Sequence, residues 1–290
     1  MKLQMSKPAK VGLYVFLSIL GALVLLPLLY TISAAFKTNF EIVKGGVNLL
    51  PEQPTLENFK TVWGMSGASL ESTTTFMDYT MNSLEVAIMT VIIQVVFTAM
   101  SAYCFNRGRF PGKDFLYGFF LATMFIGAGS ITVFPILQIT TKLKMNNKLG
   151  LAIVQAATAG ASNLFLTMGY LKTISKDLDE AAKIDGCTFF STWWRIILPL
   201  SIPILGTVAL MTFRGAWNNW MIPRLMLASD VKATTLVVAI VNQANQGGTG
   251  GSQYNLMMAG TMLAVMPMLI MFLLMNRTFI EGITQGSVKG

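Results

Sequence analysis

Residues 149–171 read LGLAIVQAATAGASNLFLTMGYL, and residues 172–199, which follow at once, read KTISKDLDEAAKIDGCTFFSTWWRIILP. The first block is apolar and long enough to cross a bilayer, which takes about 20 helical residues at about 1.5 Å each. Its Ala156, Ala157, Ala159, Gly160, Ala161 and Ser162 offer a small-residue face that suits close helix packing. The second block changes character at Gly186. Leu178–Cys187 predicts a short helix, with Asp177 or Asp179 as its N-cap and Glu180 in the first turn, where negative charge suits the helix dipole. Ala181 and Ala182 supply a small, flat face, and Gly186 permits a sharp stop. Phe189, Phe190, Trp193 and Trp194 open a second, amphipathic segment that ends at Leu198-Pro199. A helix–glycine–helix elbow between two membrane spans is either a rigid lever or an interfacial helix resting on lipid headgroups, which the Trp pair also suits.

Moving outward from the elbow, five more apolar segments join 149–171: Val11–Ala35, Asn82–Phe105, Phe115–Ile139, Leu200–Ile222 and Met257–Phe279. Hydrophobic residues make up 53% of the 290-residue chain and charged residues 12%. A soluble domain of that composition could not clothe its surface. The expected fold is an all-α integral membrane protein with six transmembrane helices and the elbow between spans four and five. Residues 1–290 read as one membrane domain, with 172–199 as its inner loop and 281–290 as a tail. Pro27, Gly127 with Gly129, Pro135, Pro203 and Pro267 weaken several spans, as in a transporter lining or as ordinary membrane-helix composition.

The net charge of +8 does not point to nucleic acid, because the basic residues sit in short connections and form no stripe interleaved with aromatics. Membrane topology explains them better. With the N-terminus inside, Lys2, Lys7, Lys10, Arg107, Arg109, Lys113, Lys172, Lys176, Lys183, Arg195, Arg277 and Lys289 fall on the inner face. The longer outer segments hold Lys37, Lys44, Lys60, Lys142, Lys144, Lys148, Arg224 and Lys232. This bias places both termini in the cytoplasm. The first span is too long for the apolar core of a cleaved leader and reads as an anchor. Cys104 and Cys187 lie near the inner face, where reduced thiols are expected.

The chain has no His, which removes the Ser-His triad and the His-ligated zinc site. Gly108-Arg-Phe-Pro-Gly112-Lys113-Asp114 has the wrong spacing for a phosphate loop and lacks its Ser/Thr. An ion-coupled secondary transporter needs ionisable groups within its spans. Arg214 is the one cation inside a span, with Glu85 as its candidate counter-ion. Its alternatives are a pathway residue favouring acidic cargo and a structural ion pair.

Glu180-Ala181-Ala182, Gly186, Ile196 and Leu198-Pro199 resemble, at every fixed position and spacing, the EAA motif of ABC-importer permeases. Ala102–Lys113, Trp217-Asn218-Asn219-Trp220 and the tail from Gly282 to Gly290 are similar to the oligosaccharide subgroup, notably the smaller permease of maltose-type transporters. The resemblance implies that Glu180, Ala181, Ala182, Asp185, Gly186, Ile196, Leu198 and Pro199 form the ATPase-docking loop. It implies a second ATPase contact at Thr284, Gln285, Gly286 and Lys289. Arg214, Trp217, Asn218 and Asn219 are candidates for the sugar pathway, since aromatic faces stack on pyranose rings and amides bond hydroxyls. The implied partners are a paralogous permease, two ABC ATPases, an extracytoplasmic solute-binding protein, a saccharide with or without carboxylates, and membrane lipid. No cofactor is expected in this chain, since ATP and magnesium would belong to the ATPases. The implied location is the bacterial cytoplasmic membrane. The alternatives are an ABC permease for a non-sugar solute and an ion-coupled secondary transporter.

Overall fold

The computed structural model describes residues 7–45, 48–64, 74–125, 129–245 and 253–287. Gly127, the Gly-rich stretch around 247–251 and Lys289 lie outside them. Among the described residues every regular element is helical. The chain divides into two units, 1–76 with 239–265 and 77–238 with 266–290.

In the first unit α1 (Lys7–Ala35) carries apolar side chains all round, and residues such as Val11, Phe16 and Leu23 are more than 60% exposed. A helix apolar on every face and uncovered by protein belongs in lipid. Its foot is held by polar contacts. Asn58, on α3 (Glu57–Trp63), donates from Nδ2 to the carbonyls of Ala35 and Lys37 at 2.8 Å each. Its Oδ1 accepts from Asn255 Nδ2 at 2.7 Å, on α14 (Tyr254–Ser287). Buried Lys37 lies 3.6 Å from Glu41, on α2 (Asn39–Val43). The short helix expected to open at Leu56 is α3.

The second unit is built on α4 (Phe76–Arg107), α7 (Lys148–Leu171) and α11 (Ile202–Asn218). Polar side chains tie them inside the apolar bundle. Thr90 Oγ1 lies 3.3 Å from Gln155 Oε1, and Asn163 Nδ2 donates to Thr212 Oγ1 at 3.3 Å. Such contacts help hold helices together where burial from water gives no drive. Below them Ala99, Ala102, Tyr103, Leu164, Met168, Leu171, Trp193, Ile197 and Ile204 form one buried cluster. Val86, Leu151, Met226, Leu227 and Ala233 form another.

Among the described residues, four helices are long and apolar enough to cross a membrane: Pro8–Ala35, Phe76–Arg107, Lys148–Leu171 and Tyr254–Leu273. A fifth arises if Phe189–Leu200 and Ile202–Asn218, bent by 75°, count as one span. The segment expected as span three, 115–139, is two helices, α5 (Lys113–Phe125) and α6 (Val133–Lys142), with a 3-10 turn at Gly129–Thr132 before the second. The break falls beside Gly129, and Pro135 sits in the first turn of α6, where a missing N–H costs nothing. The expected fifth span also ends early. It stops at Asn218, and α12 (Met221–Met226) follows as a separate turn.

Candidate functional site

The elbow begins at α8 (Asp177–Ile184). Neither Asp177 nor Asp179 caps it, contrary to the expectation from sequence. Lys176 occupies the cap position without a side-chain bond, and Ser175 Oγ accepts from the Asp177 N–H at 3.2 Å. Asp179 is turned elsewhere by a stronger partner. Its Oδ2 lies 2.7 Å from Arg107 Nε, with the two side chains only 13% and 10% exposed. Arg107 stands at the C-terminus of α4, where a cation suits the helix dipole. Its Nη2 also donates to the Ile174 carbonyl at 2.8 Å. One guanidinium thus ties the end of α4 to both the lead-in and the first turn of the elbow.

The stop at Gly186 is a complete Schellman motif. Cys187 N–H donates to the Ala182 carbonyl at 2.9 Å and Gly186 N–H to the Lys183 carbonyl at 3.0 Å, with Gly186 at φ +77°. That left-handed conformation suits glycine. Beyond it, Thr188 Oγ1 caps α9 (Phe189–Thr192) by accepting from Ser191 N–H at 3.2 Å. A π-helical turn, Trp193–Ile197, leads into α10 (Leu198–Leu200) and the 75° bend at Ser201. Tyr103 packs on Phe189 with ring centroids 4.4 Å apart, while Trp193 and Ile197 enter the buried cluster.

This packing sorts the motif residues by face. Glu180, Ala181 and Ile184 are exposed on one side of α8, Ile184 by 87%. Ala182 is buried against the chain at 2%. Asp185 and Gly186 are exposed at the tip. Ile196 and Leu198 pack against the buried cluster, and Pro199 is exposed where α10 begins. The docking candidates therefore divide into an outward set and a set that seats the elbow. Sequence reasoning missed Ile184 and the Arg107–Asp179 pair. Ile184 carries a readable signal, an apolar residue at helical spacing from Glu180 and Ala181. The sequence marks Arg107 as a topological charge within the basic turn 102–113, with no partner assigned to it.

The pathway candidates separate as well. On α11, Met211, Arg214, Gly215 and Asn218 are exposed, while Thr212, Phe213, Ala216 and Trp217 are buried. Trp217 is 2% exposed and stacks on Phe213 at 5.7 Å, so within this chain it serves packing. Asn219 Oδ1 accepts from Ile222 N–H at 3.4 Å, at the break before α12. Glu85 is not the counter-ion of Arg214, because it pairs with Lys148 at 2.6 Å. Thr284, Gln285 and Gly286 lie on the last turns of α14, which continues as helix to Ser287. Cys104 and Cys187 are both free thiols. Among the described residues no cluster of His, Cys, Asp or Glu could hold a metal ion.

Bilayer-length apolar helices, a broken helix pair and a glycine-stopped elbow braced by an ion pair define an integral membrane permease. The family model for the binding-protein-dependent transport system inner membrane component matches residues 94–284, and the chain belongs to that family. It is 32% identical to a putative ABC transporter permease protein of Caldicellulosiruptor sp. (strain Rt8B.4) over 98% of both chains. It is 29% identical, over 91% of both, to the arabinooligosaccharides transport system permease protein AraQ of Halalkalibacterium halodurans. It superimposes with a TM-score of 0.76, at 21% identity, on a chain in the crystal structure of a bacterial ABC transporter involved in the import of the acidic polysaccharide alginate, covering 95% of this chain and 99% of that one. The protein is a transport permease, not an enzyme, and a multi-pass component of the bacterial plasma membrane.

Proposed function

We propose that this chain is one permease half of an ATP-driven importer of oligosaccharides, and that its elbow, 172–199, is the part the ATPase grips. The observation that carries the reading is the outward face of α8. Glu180, Ala181 and Ile184 stand exposed beside a Schellman turn, on a helix whose other face is buried and ion-paired. Small residues allow close approach, an exposed isoleucine supplies apolar contact, and Glu180 can accept charge-assisted hydrogen bonds from a basic partner. Thr284, Gln285 and Gly286 at the end of α14, together with Lys289 beyond it in sequence, add a second contact.

In this reading the chain has six spans with both termini in the cytoplasm. The third span is the broken pair α5 and α6, and the fifth is the bent run through Ser201. The basic connections 106–113 and 172–183 support this orientation. Residues 1–290 act as one membrane domain. A solute-binding protein delivers cargo outside, a paralogous permease supplies the other half of the cavity, and two ATPases bind ATP and magnesium. Their closure moves the elbow, and α11, seated directly behind it, tilts to open the cavity outward.

Sugar cargo is supported by the relatedness to the arabinooligosaccharide permease. Within the cavity we assign Arg214, Asn218 and Asn219 to the pathway, with buried Trp217 holding the helix that presents them. An intramembrane cation costs at least about 2.5 kcal/mol on insertion scales and calls for a compensating partner. A carboxylate on the saccharide supplies one. Tagged pull-down from mildly solubilised membranes tests the assembly. Recovery of an ABC ATPase and a second permease with wild type, and loss of the ATPase with Gly186→Trp, is the expected result. Recovery of the chain alone in both forms across several detergents would refute it.

A further inference from the structure

On the elbow side of the second unit, a cavity of about 430 Å³ opens where α4 ends, α5 begins and the chain leaves α7. Three lysines converge on it from separate segments: Lys113 at the start of α5, and Lys172 and Lys176 on the connection after α7. Lys113 Nζ donates to the Gly108 carbonyl at 3.0 Å, which fixes its head at the rim. Among the described residues neither Lys172 nor Lys176 has an acceptor. The cavity's one carboxylate is Asp114, while Arg107, which also lines it, is neutralised by Asp179. The site therefore keeps a surplus of positive charge. Phe105, Tyr117 and Met168 line it about one turn further into their helices. Phe105 and Tyr117 lie 5.7 Å apart between ring centroids. A basic rim over an apolar floor, at the end of membrane helices, matches an ion whose charged group is tethered to hydrocarbon.

We propose that this cavity holds the phosphate of an anionic phospholipid from the inner leaflet, with Lys172 and Lys176 as the principal ligands. Basic pockets between spans on the cytoplasmic side suit such headgroups. The assignment rests on the orientation proposed above, which turns 106–113 and 172–176 toward the cytosol. A lipid seated here bridges α4, α5 and the root of the elbow, so its loss loosens the lever at its attachment.

The test uses the assembled transporter in nanodiscs of mixed phosphatidylglycerol and phosphatidylcholine, with lipid retained on the permease read by native mass spectrometry. Wild type is expected to retain phosphatidylglycerol selectively. Each lysine near a charged headgroup contributes about 5-fold, so Lys172→Ala with Lys176→Ala lowers that retention about 25-fold. Lys172→Arg with Lys176→Arg preserves it. Unchanged retention in the alanine pair overturns the site. Displacement of the lipid by millimolar inorganic phosphate overturns the lipid as its source. Recovery of the ATPase, followed in the same samples, reports on the docking assignment separately. Its absence from wild type counts against the proposed function, and the lipid readout on the permease stands independently.

Discussion

Arg107 and Asp179 meet at 2.7 Å across 72 positions of sequence, one at the end of a membrane helix and the other in the first turn of the elbow. Both are nearly enclosed, so this pair differs from exposed ones such as Lys60–Glu57, which is 70% exposed on each side. Removing one partner of an enclosed pair leaves an uncompensated charge and costs about 3–5 kcal/mol, against about 0–1 for an exposed pair. Asp179→Ala is therefore expected to loosen the elbow and uncouple transport. ATPase activity should persist while ATP-driven uptake falls at least about tenfold. A double-mutant cycle with Arg107→Ala should return a coupling of about 1–3 kcal/mol in thermal stability. Additive losses would remove the pair from the account.

Gly186 at φ +77° has open space around the position of a Cβ. Gly186→Ala therefore acts through backbone strain alone, at about 1–2 kcal/mol. Gly186→Asn, which tolerates the left-handed region, should lose less in a melting measurement. Gly186→Trp has the same open space at its Cβ and adds bulk at the exposed tip of the elbow. It should melt close to Gly186→Ala yet recover far less ATPase.

Ile184, 87% exposed, adds nothing to the folded chain by being apolar. Burying such a side chain at an interface is worth about 1.5–3 kcal/mol. Ile184→Asp should leave the melting temperature of the isolated permease unchanged and weaken ATPase binding by at least about tenfold in titration with purified ATPase.

Arg214 and Trp217 lie three positions apart on α11, yet Arg214 is exposed and Trp217 is buried. Arg214→Ala is expected to impair uptake of uronic-acid oligosaccharides and spare neutral ones of the same length. Trp217→Ala is expected to destabilise the chain by about 3–5 kcal/mol, as a large core truncation does. It should depress uptake of both sugars equally. Equal effects of Arg214→Ala on both cargoes would leave that arginine a structural role only.

Much of this architecture was legible in the sequence because its causes are local. The apolar runs located α1, α4, α7 and α14, although α4 starts six residues before the expected span and α14 runs eight beyond it, and Gly186 marked the elbow's stop through a conformation a single residue dictates. What escaped was non-local. The N-cap expected from Asp177 or Asp179 failed because Arg107, far away in sequence, offers Asp179 a stronger partner than a helix end does. Glu85 was matched to Arg214 on the ground that both lie in spans, yet Lys148 at the mouth of α7 reaches it first. The third span looked continuous by hydropathy, which does not register the break beside Gly129, although the sequence marks that glycine as helix-weakening. Trp217 and Asn218 are neighbours in one motif, but a helix turns consecutive residues about 100° apart, so only one of them faces outward.

The most direct test of the docking face is site-specific photo-cross-linking in the assembled transporter. A photoreactive residue would stand at Ala181 or Ile184 on the outward face, or at Ser191 beyond the elbow as reference. The account predicts strong ATPase adducts from positions 181 and 184 that change in yield when ATP closes the ATPase pair, and weak adducts from 191. No adduct from 181 and 184, or adducts equal at all three positions and indifferent to ATP, would contradict it.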